Sequence, residues 1–298
     1  MTNVKYTKLS LAIAITIGLG LTGCGPKIIS APTLETNKDV DYKSNKLAND
    51  NSNTHMYIYL DSAVIKPVVI NIDNLIFDQL AKNTYGYYKI AKGTHWIGVL
   101  GAENSSFMCI NSTTNNNLLY EVDTYMGIMD ARVEFKPGTV EDMKDDDLKQ
   151  IKQKNQNIAS SLYTRSAESF SVEINGDDEY LLEIKHNIDE KINKLSIDKG
   201  KGLVIKLSTL SKEDGNQFGR YFWGLTPEAE KYKASIKIKS EFLINGQKVD
   251  EMISVKELTG GIFGGGKSNM YSLVSEEVVS YAICKYFNEK FPAIRESK

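Results

Sequence analysis

The chain has 298 residues, of which 36 are basic and 38 acidic, for a net charge of −2, and it is 41% hydrophobic and 25% charged. Those values lie near the averages of soluble globular proteins and exclude collagen-like, disordered and multi-span membrane classes. The near-neutral balance also argues against a nucleic-acid binder that works by displacing counterions from phosphate, and the length suits one large domain or two of ordinary size.

Lys5 and Lys8 precede a mostly apolar, uncharged run from Leu9 to Leu21, and no acidic residue occurs before Glu35. As a helix that run rises only ~20 Å, short of the ~30 Å core of a bilayer. The pattern predicts a secretory signal peptide over residues 1–23. Its last residues, Leu21-Thr22-Gly23-Cys24, resemble the lipobox of bacterial lipoproteins. The resemblance implies that Cys24 carries a diacylglycerol, and at ~0.8 kcal/mol per buried methylene two or three acyl chains make a permanent anchor. Gly25, where an Asp would favour inner-membrane retention in enteric-type lipoproteins, implies an outer-membrane anchor. The body would then lie in the periplasm, with the cell surface as the other face. Removing residues 1–23 deletes two lysines and no acid, which takes the net charge to −4.

Residues 24–54 are rich in Asn, Lys, Asp, Ser and Thr, with Pro26 and Pro32 and no apolar periodicity, and are expected to be a flexible tether. From Met56 to Phe135 the signals are those of short strands. They fall at Met56–Leu60, Val68–Ile72, Tyr85–Ile90, His95–Leu100, Leu118–Val122 and Ala131–Phe135, β-branched and aromatic and bounded by Asp73-Asn74, Lys92-Gly93 and an Asn-rich stretch. Such spacing predicts a small β-sandwich over residues 55–136. The order Val-Ile-Asn-Ile-Asp-Asn followed by Tyr-Tyr-Lys-Ile-Ala-Lys-Gly-Thr-His-Trp resembles the PEGA-type and related uncharacterised β domains of bacterial lipoproteins. In those a strand, a turn and a Pro-Gly-Lys-His-like corner recur. Here the corner is Ala91-Lys92-Gly93-Thr94-His95, without the proline, and the likeness covers about 80 residues.

Residues 137–168 turn to Glu, Asp, Lys and Gln, with Met143, Leu148, Ile151 and Ile158 spaced loosely for an amphipathic helical connector. A strand at Phe170–Ile174 and a turn at Asn175-Gly176-Asp177 lead into a helix marked by Leu181, Ile184, Ile188, Ile192 and Leu195. Strands follow at Leu203–Leu207, Ala234–Leu243 and Lys248–Leu258, the last two joined by Asn245-Gly246, the strongest short hairpin signal. A final helix from about Asn269 to Lys290 is expected to bury Val279, Ala282, Ile283 and Tyr286. Residues 169–298 thus read as an antiparallel sheet with packed helices, and the whole chain as α+β. The arrangement of Gly219-Arg220-Tyr221, Asn245-Gly246, the glycine loop from Gly260 to Gly266 and a closing helix resembles an uncharacterised domain of proteobacterial lipoproteins. By element order alone it is remotely similar to the curli export lipoprotein, whose relatives assemble outer-membrane pores.

Gly261-Ile-Phe-Gly-Gly-Gly266-Lys267-Ser268 matches the phosphate-cradling pattern, in which backbone amides, a lysine and a magnesium-binding hydroxyl hold a nucleotide. Such a loop normally opens a parallel domain that later supplies a second, metal-binding Asp. Only 30 residues remain here after Ser268, and the one apolar run ending in Asp of that type, Tyr57–Asp61, lies in the other half. A glycine linker between the last strand and the closing helix is the expected role. Once Cys24 is lipidated, Cys109 and Cys284 remain. They fall in different predicted domains, and Cys284 lies about 140° from Val279 on the helix, off its apolar stripe, so free thiols are expected.

His95 reads as a strand-edge residue, and His186 with Glu183 and Glu190 reads as a solvated face. Asp145-Asp146-Asp147 lacks the glycine and the terminal Glu of a calcium loop. Gly219-Arg220-Tyr221-Phe222-Trp223-Gly224 has the composition of an interface hot spot, although Phe222 and Trp223 closing the second core is the favoured role. The sequence as a whole points to a non-enzymatic, lipid-anchored interaction or assembly module of the cell envelope. It is expected to hold no cofactor, metal or small-molecule ligand, to bind no nucleic acid, and to meet the membrane through its lipid and an unidentified envelope protein through its body. The alternatives are a nucleotide-binding enzyme using the Gly261–Ser268 loop and a subunit of an oligomeric export assembly.

Overall fold

The computed structural model describes residues 54–62, 67–101, 104–112, 117–126, 131–140, 148–153, 157–158, 167–215, 234–258 and 267–287. The first eight strands are β1 (Thr54–Ser62), β2 (Val68–Ile72), β3 (Ile76–Leu80), β4 (Thr84–Ile90), β5 (Gly93–Leu100), β6 (Ser105–Ser112), β7 (Asn117–Met126) and β8 (Ala131–Pro137). Then come β9 (Lys149–Gln150), β10 (Asn157–Ile158), β11 (Ser169–Ile174), helix α1 (Glu179–Lys194) and β12 (Asp198–Lys199). The chain closes with β13 (Leu203–Glu213), β14 (Ala234–Ile244), β15 (Gln247–Leu258) and helix α2 (Lys267–Tyr286).

Strict alternation in β1 sends Met56, Ile58 and Leu60 to one face and Tyr57 and Tyr59 to the other. β1 pairs antiparallel with β4 and parallel with β7, β8 extends the far side of β7, and β9 and β10 add to the free edge of β4. The second sheet runs β3-β2-β5-β6. Ile58, Leu60, Tyr88 and Val122 of the first sheet share one core with Ile70, Ile72, Ile97 and Val99 of the second, so the two sheets pack face to face. On the outer face of the first sheet Tyr57 lies opposite Tyr87 and Tyr59 opposite Tyr85, and these four rings cluster with Leu148.

The third sheet runs β12-β11-β13-β14-β15, with β11 parallel to β13 across α1 and β14 and β15 antiparallel beyond them. Asn245 and Gly246 both take positive φ, 52° and 77°, as a two-residue type I′ hairpin requires. Along β14 Ala234, Ile236, Ile238, Ser240 and Phe242 are buried beneath the helices, while Lys237, Lys239 and Glu241 face the other way. α1 lays its Leu181, Ile184, Ile188 and Ile192 stripe on this sheet.

α2 is buried along most of its length, because one side meets β14 and β15, another meets α1, and a third meets β5 and β6 of the second sheet. The molecule is therefore a stack of sheet, sheet, helices and sheet, with α2 shared by both halves. β5 accordingly buries both of its faces. Ile97 and Val99 point into the sandwich, Trp96 points at α2, and all three are buried. Gly98 lies under Trp96, where a Cβ would approach the indole to 2.9 Å and Phe107 to 3.1 Å.

This architecture corrects the expected α+β class. Among the described residues strand outweighs helix 60% to 22%, in three sheets with two helices, so the described body is mostly β. The third sheet is mixed where an antiparallel one was expected, since β11, β12 and β13 run parallel. Where the helical connector was expected, the described residues form β9 and β10, with Leu148, Ile151 and Ile158 buried. Three further strands, β3, β6 and the two-residue β12, had no counterpart among the expected elements.

Candidate functional site

Cys24, Arg220, Tyr221, Phe222, Trp223, Gly261 and Gly266 lie outside the described residues, and Lys267 and Ser268 lie within them. Lys267 and Ser268 open α2, whose first turn holds no acidic residue of its own. Two carboxylates come from elsewhere. Asp214, just past β13, pairs with both Lys267 and Lys212, and Glu183 of α1 accepts a hydrogen bond from the Ser268 hydroxyl at 2.7 Å. Both place negative charge where a helix N-terminus favours it. Hydrogen bonds from Lys267 and then Lys212 hold the Asp214 carboxyl below the usual carboxylate range. Lys212 also lies 4.4 Å from the centre of the Tyr180 ring, and the Tyr180 hydroxyl contacts Thr209 Oγ1 at 2.8 Å. The segments that hold the aromatic quartet and the glycines connect β13 to β14 and β15 to α2.

His95 is fully buried, not at a strand edge. Its Nδ1 meets Asp73 Oδ2 at 2.7 Å and its Nε2 donates to the carbonyl of Ala91 at 2.8 Å. Because a carbonyl only accepts, Nε2 is the donor in that contact, which leaves Nδ1 to meet the carboxylate. Asp73 Oδ1 also accepts from the Trp96 amide at 2.8 Å. With neither side chain reaching solvent, the pair ties the β2–β3 turn to the corner before β5. Asp73 carried no signal in the sequence beyond its place in a turn.

A second group that pattern reasoning missed runs along the seam between α2 and β15. Near one end Lys256 Nζ lies 3.1 Å from Glu277 Oε2, with side-chain exposures of 8% and 2%, an ion pair without hydrogen-bond alignment. Near the other end Asp250 Oδ2 accepts from Tyr281 at 2.7 Å, Lys285 at 2.8 Å and Tyr286 at 3.2 Å. Burial pushes the Asp250 carboxyl up, but the hydrogen bonds from Lys285 and Tyr281 outweigh it and leave the group below its ordinary value. Burial, and then the neighbouring Asp250 charge, push the Tyr286 phenol well up. The polarity reverses along the seam: the strand supplies the cation at one end and the anion at the other.

On its opposite side α2 meets the second sheet. Trp96 donates to Ser280 Oγ at 3.1 Å, stands edge-on to Tyr281 with centroids 5.3 Å apart, and stacks on Phe107. Beside it Cys109 of β6 is bonded to Cys284 of α2, with Cα atoms 5.6 Å apart. The expectation of two free thiols is thus corrected. It failed because α2 has no single buried stripe, so a residue off the stripe still faces protein.

Among the described residues no group of three or more His, Cys, Asp or Glu side chains is placed to hold a metal ion, and no helix is long and apolar enough to cross a membrane. No family model, curated protein or solved structure matches the chain.

Proposed function

We propose that this protein is an exported envelope lipoprotein, anchored in the outer membrane through Cys24 with its body in the periplasm, and that it serves as a non-enzymatic interaction or assembly module. The observation that carries the proposal is the cysteine arithmetic. With Cys109 bonded to Cys284, Cys24 is the one cysteine left of three, and it stands where a basic, then apolar leader ends. A disulfide in a chain of ordinary core size also suits an oxidising compartment.

The surroundings of Lys267 and Ser268 favour a structural role for the glycine loop. A phosphate there would face the carboxylates of Asp214 and Glu183, which already occupy the lysine and the hydroxyl. The test of anchoring is metabolic labelling with palmitate. The wild type is expected to incorporate label and the Cys24→Ser variant to incorporate none. Undiminished labelling of that variant would sink the lipoprotein reading.

A further inference from the structure

We propose that Cys109–Cys284 is a one-way oxidative lock between the two halves of the molecule, closed by a disulfide-donating oxidoreductase that engages Cys109 first, and not a reversible redox switch. The inference is independent of the lipid anchor, since it concerns only the folded body.

The bond sits where the halves meet. Cys109 lies opposite Trp96 on the face of the second sheet that meets α2, and Cys284 lies on α2 itself, 175 residues further along the chain. Beside the covalent link, Trp96 of β5 meets α2 through a hydrogen bond to Ser280 and an edge-on contact with Tyr281, and Phe107 of β6 stacks on Trp96. The two residues differ in exposure: Cys284 is 2% exposed, whereas Cys109 is only partly buried.

That difference sets the order of the chemistry. A thiolate of Cys109 attacks the oxidoreductase disulfide, forming a mixed disulfide and releasing one thiolate of the catalyst. Cys284 then attacks the Cys109 sulfur, the second catalyst thiolate leaves, and the pair has lost two protons and two electrons while the catalyst has become a dithiol. Reversal is hindered once α2 is packed. Attack on Cys284 requires a nucleophile inside the core, and Cys284 displaced by attack on Cys109 is held beside it by the fold and re-closes the bond.

The test uses the full chain carrying Cys24→Ser, so that one pair of cysteines remains. Dithiothreitol is added in native buffer and in denaturant, and thiols are tagged with a mass-shifting maleimide. Native reduction is expected to be slower by about a hundredfold or more, because it waits for α2 to open. Rates within tenfold of each other, or free thiols before any reductant is added, would overturn the lock. The order is read with Cys284→Ser and Cys109→Ser added singly to that chain and exposed to glutathione disulfide in native buffer. Cys109 is expected to form the mixed disulfide about tenfold faster than Cys284 or more, and equal or inverted rates would remove Cys109 from the first step. Should either single variant fail to fold, the reduction rates of the intact pair still decide whether the bond is a lock.

Discussion

The two helices of this protein obey different rules. α1 is a surface helix. Leu181, Ile184, Ile188 and Ile192 recur at three- and four-residue spacing and are buried, while Leu182, His186 and Glu190 face solvent. α2 is buried nearly all round, yet it is not apolar all round: Ser275, Glu277, Ser280 and Lys285 are each placed against protein. A helix that must satisfy two sheets and a second helix cannot be read from one stripe. Its polar residues become the informative ones, because each buried polar group needs a partner. Ser280 finds Trp96, Ser275 finds the carbonyl of Ile184, Glu277 finds Lys256 and Lys285 finds Asp250.

The sharpest way to break the comparison is on the second sheet. Trp96→Ala removes the largest side chain that α2 shares with the sandwich and should cost about 3–5 kcal/mol in denaturant unfolding. Leu182→Ala, on the exposed face of α1, should stay within about 0.5 kcal/mol. If both variants unfold at wild-type denaturant concentrations, α2 is not the joint between the halves.

Next in size is the buried ion pair. Glu277→Ala leaves the Lys256 ammonium buried without its partner and should cost about 3–5 kcal/mol, whereas Lys256→Met with Glu277→Leu should recover most of that loss. The corresponding pair on α1, Lys185 and Asp189 at 2.9 Å, is only partly buried and should contribute about 0.3–0.5 kcal/mol. A double-mutant cycle measures both, and additive losses at Lys256 and Glu277 would mean that the two charges do not interact.

A smaller, pH-dependent difference comes from the other end of the seam. The folded Asp250 carboxyl lies below its unfolded value near ~3.9, so its contribution is fully present above that value and is lost as pH falls through the folded one. Melting temperatures of the wild type and Asp250→Asn should therefore differ most above about pH 5 and converge only as pH falls past ~3.9 and through the lower, folded value. A gap that stays constant across that range would assign the loss to packing alone.

The same contrast explains what the sequence disclosed. α1, the Asn245-Gly246 hairpin and the strands of the β14–β15 ribbon were legible because each obeys a local period or turn rule. β6 was not, since Ser105-Ser-Phe-Met-Cys-Ile-Asn-Ser112 shows no clean alternation and its apolar members face two different layers. β3 is a five-residue edge strand with Phe77 half exposed, too short and too polar to stand out. The loose spacing of Leu148, Ile151 and Ile158 suits a helix, but the described residues there make two separate short pairings on β4, with Leu148 in the tyrosine cluster and Ile151 and Ile158 in the sandwich core. The disulfide and the buried His95–Asp73 pair join elements distant in sequence, and no single-chain period encodes such a meeting.

The smallest expected effect tests the N-terminus of α2 itself. Lys267 is 38% exposed on its side chain and its partner Asp214 is 57% exposed, so solvent screens their attraction. Lys267→Ala should shift stability by less than about 0.5 kcal/mol, as for most surface pairs. The same position decides between a linker and a phosphate loop, because a nucleotide stabilises the native state by RT ln(1 + [L]/Kd). With a Kd near ~10 μM, Mg·ATP at a hundredfold excess would add ~2.7 kcal/mol, a rise of several degrees in melting temperature. With Asp214 and Glu183 already holding Lys267 and Ser268, no rise is expected. A rise in the wild type that disappears in Lys267→Ala would make the glycine loop a nucleotide site and overturn the structural role given to it.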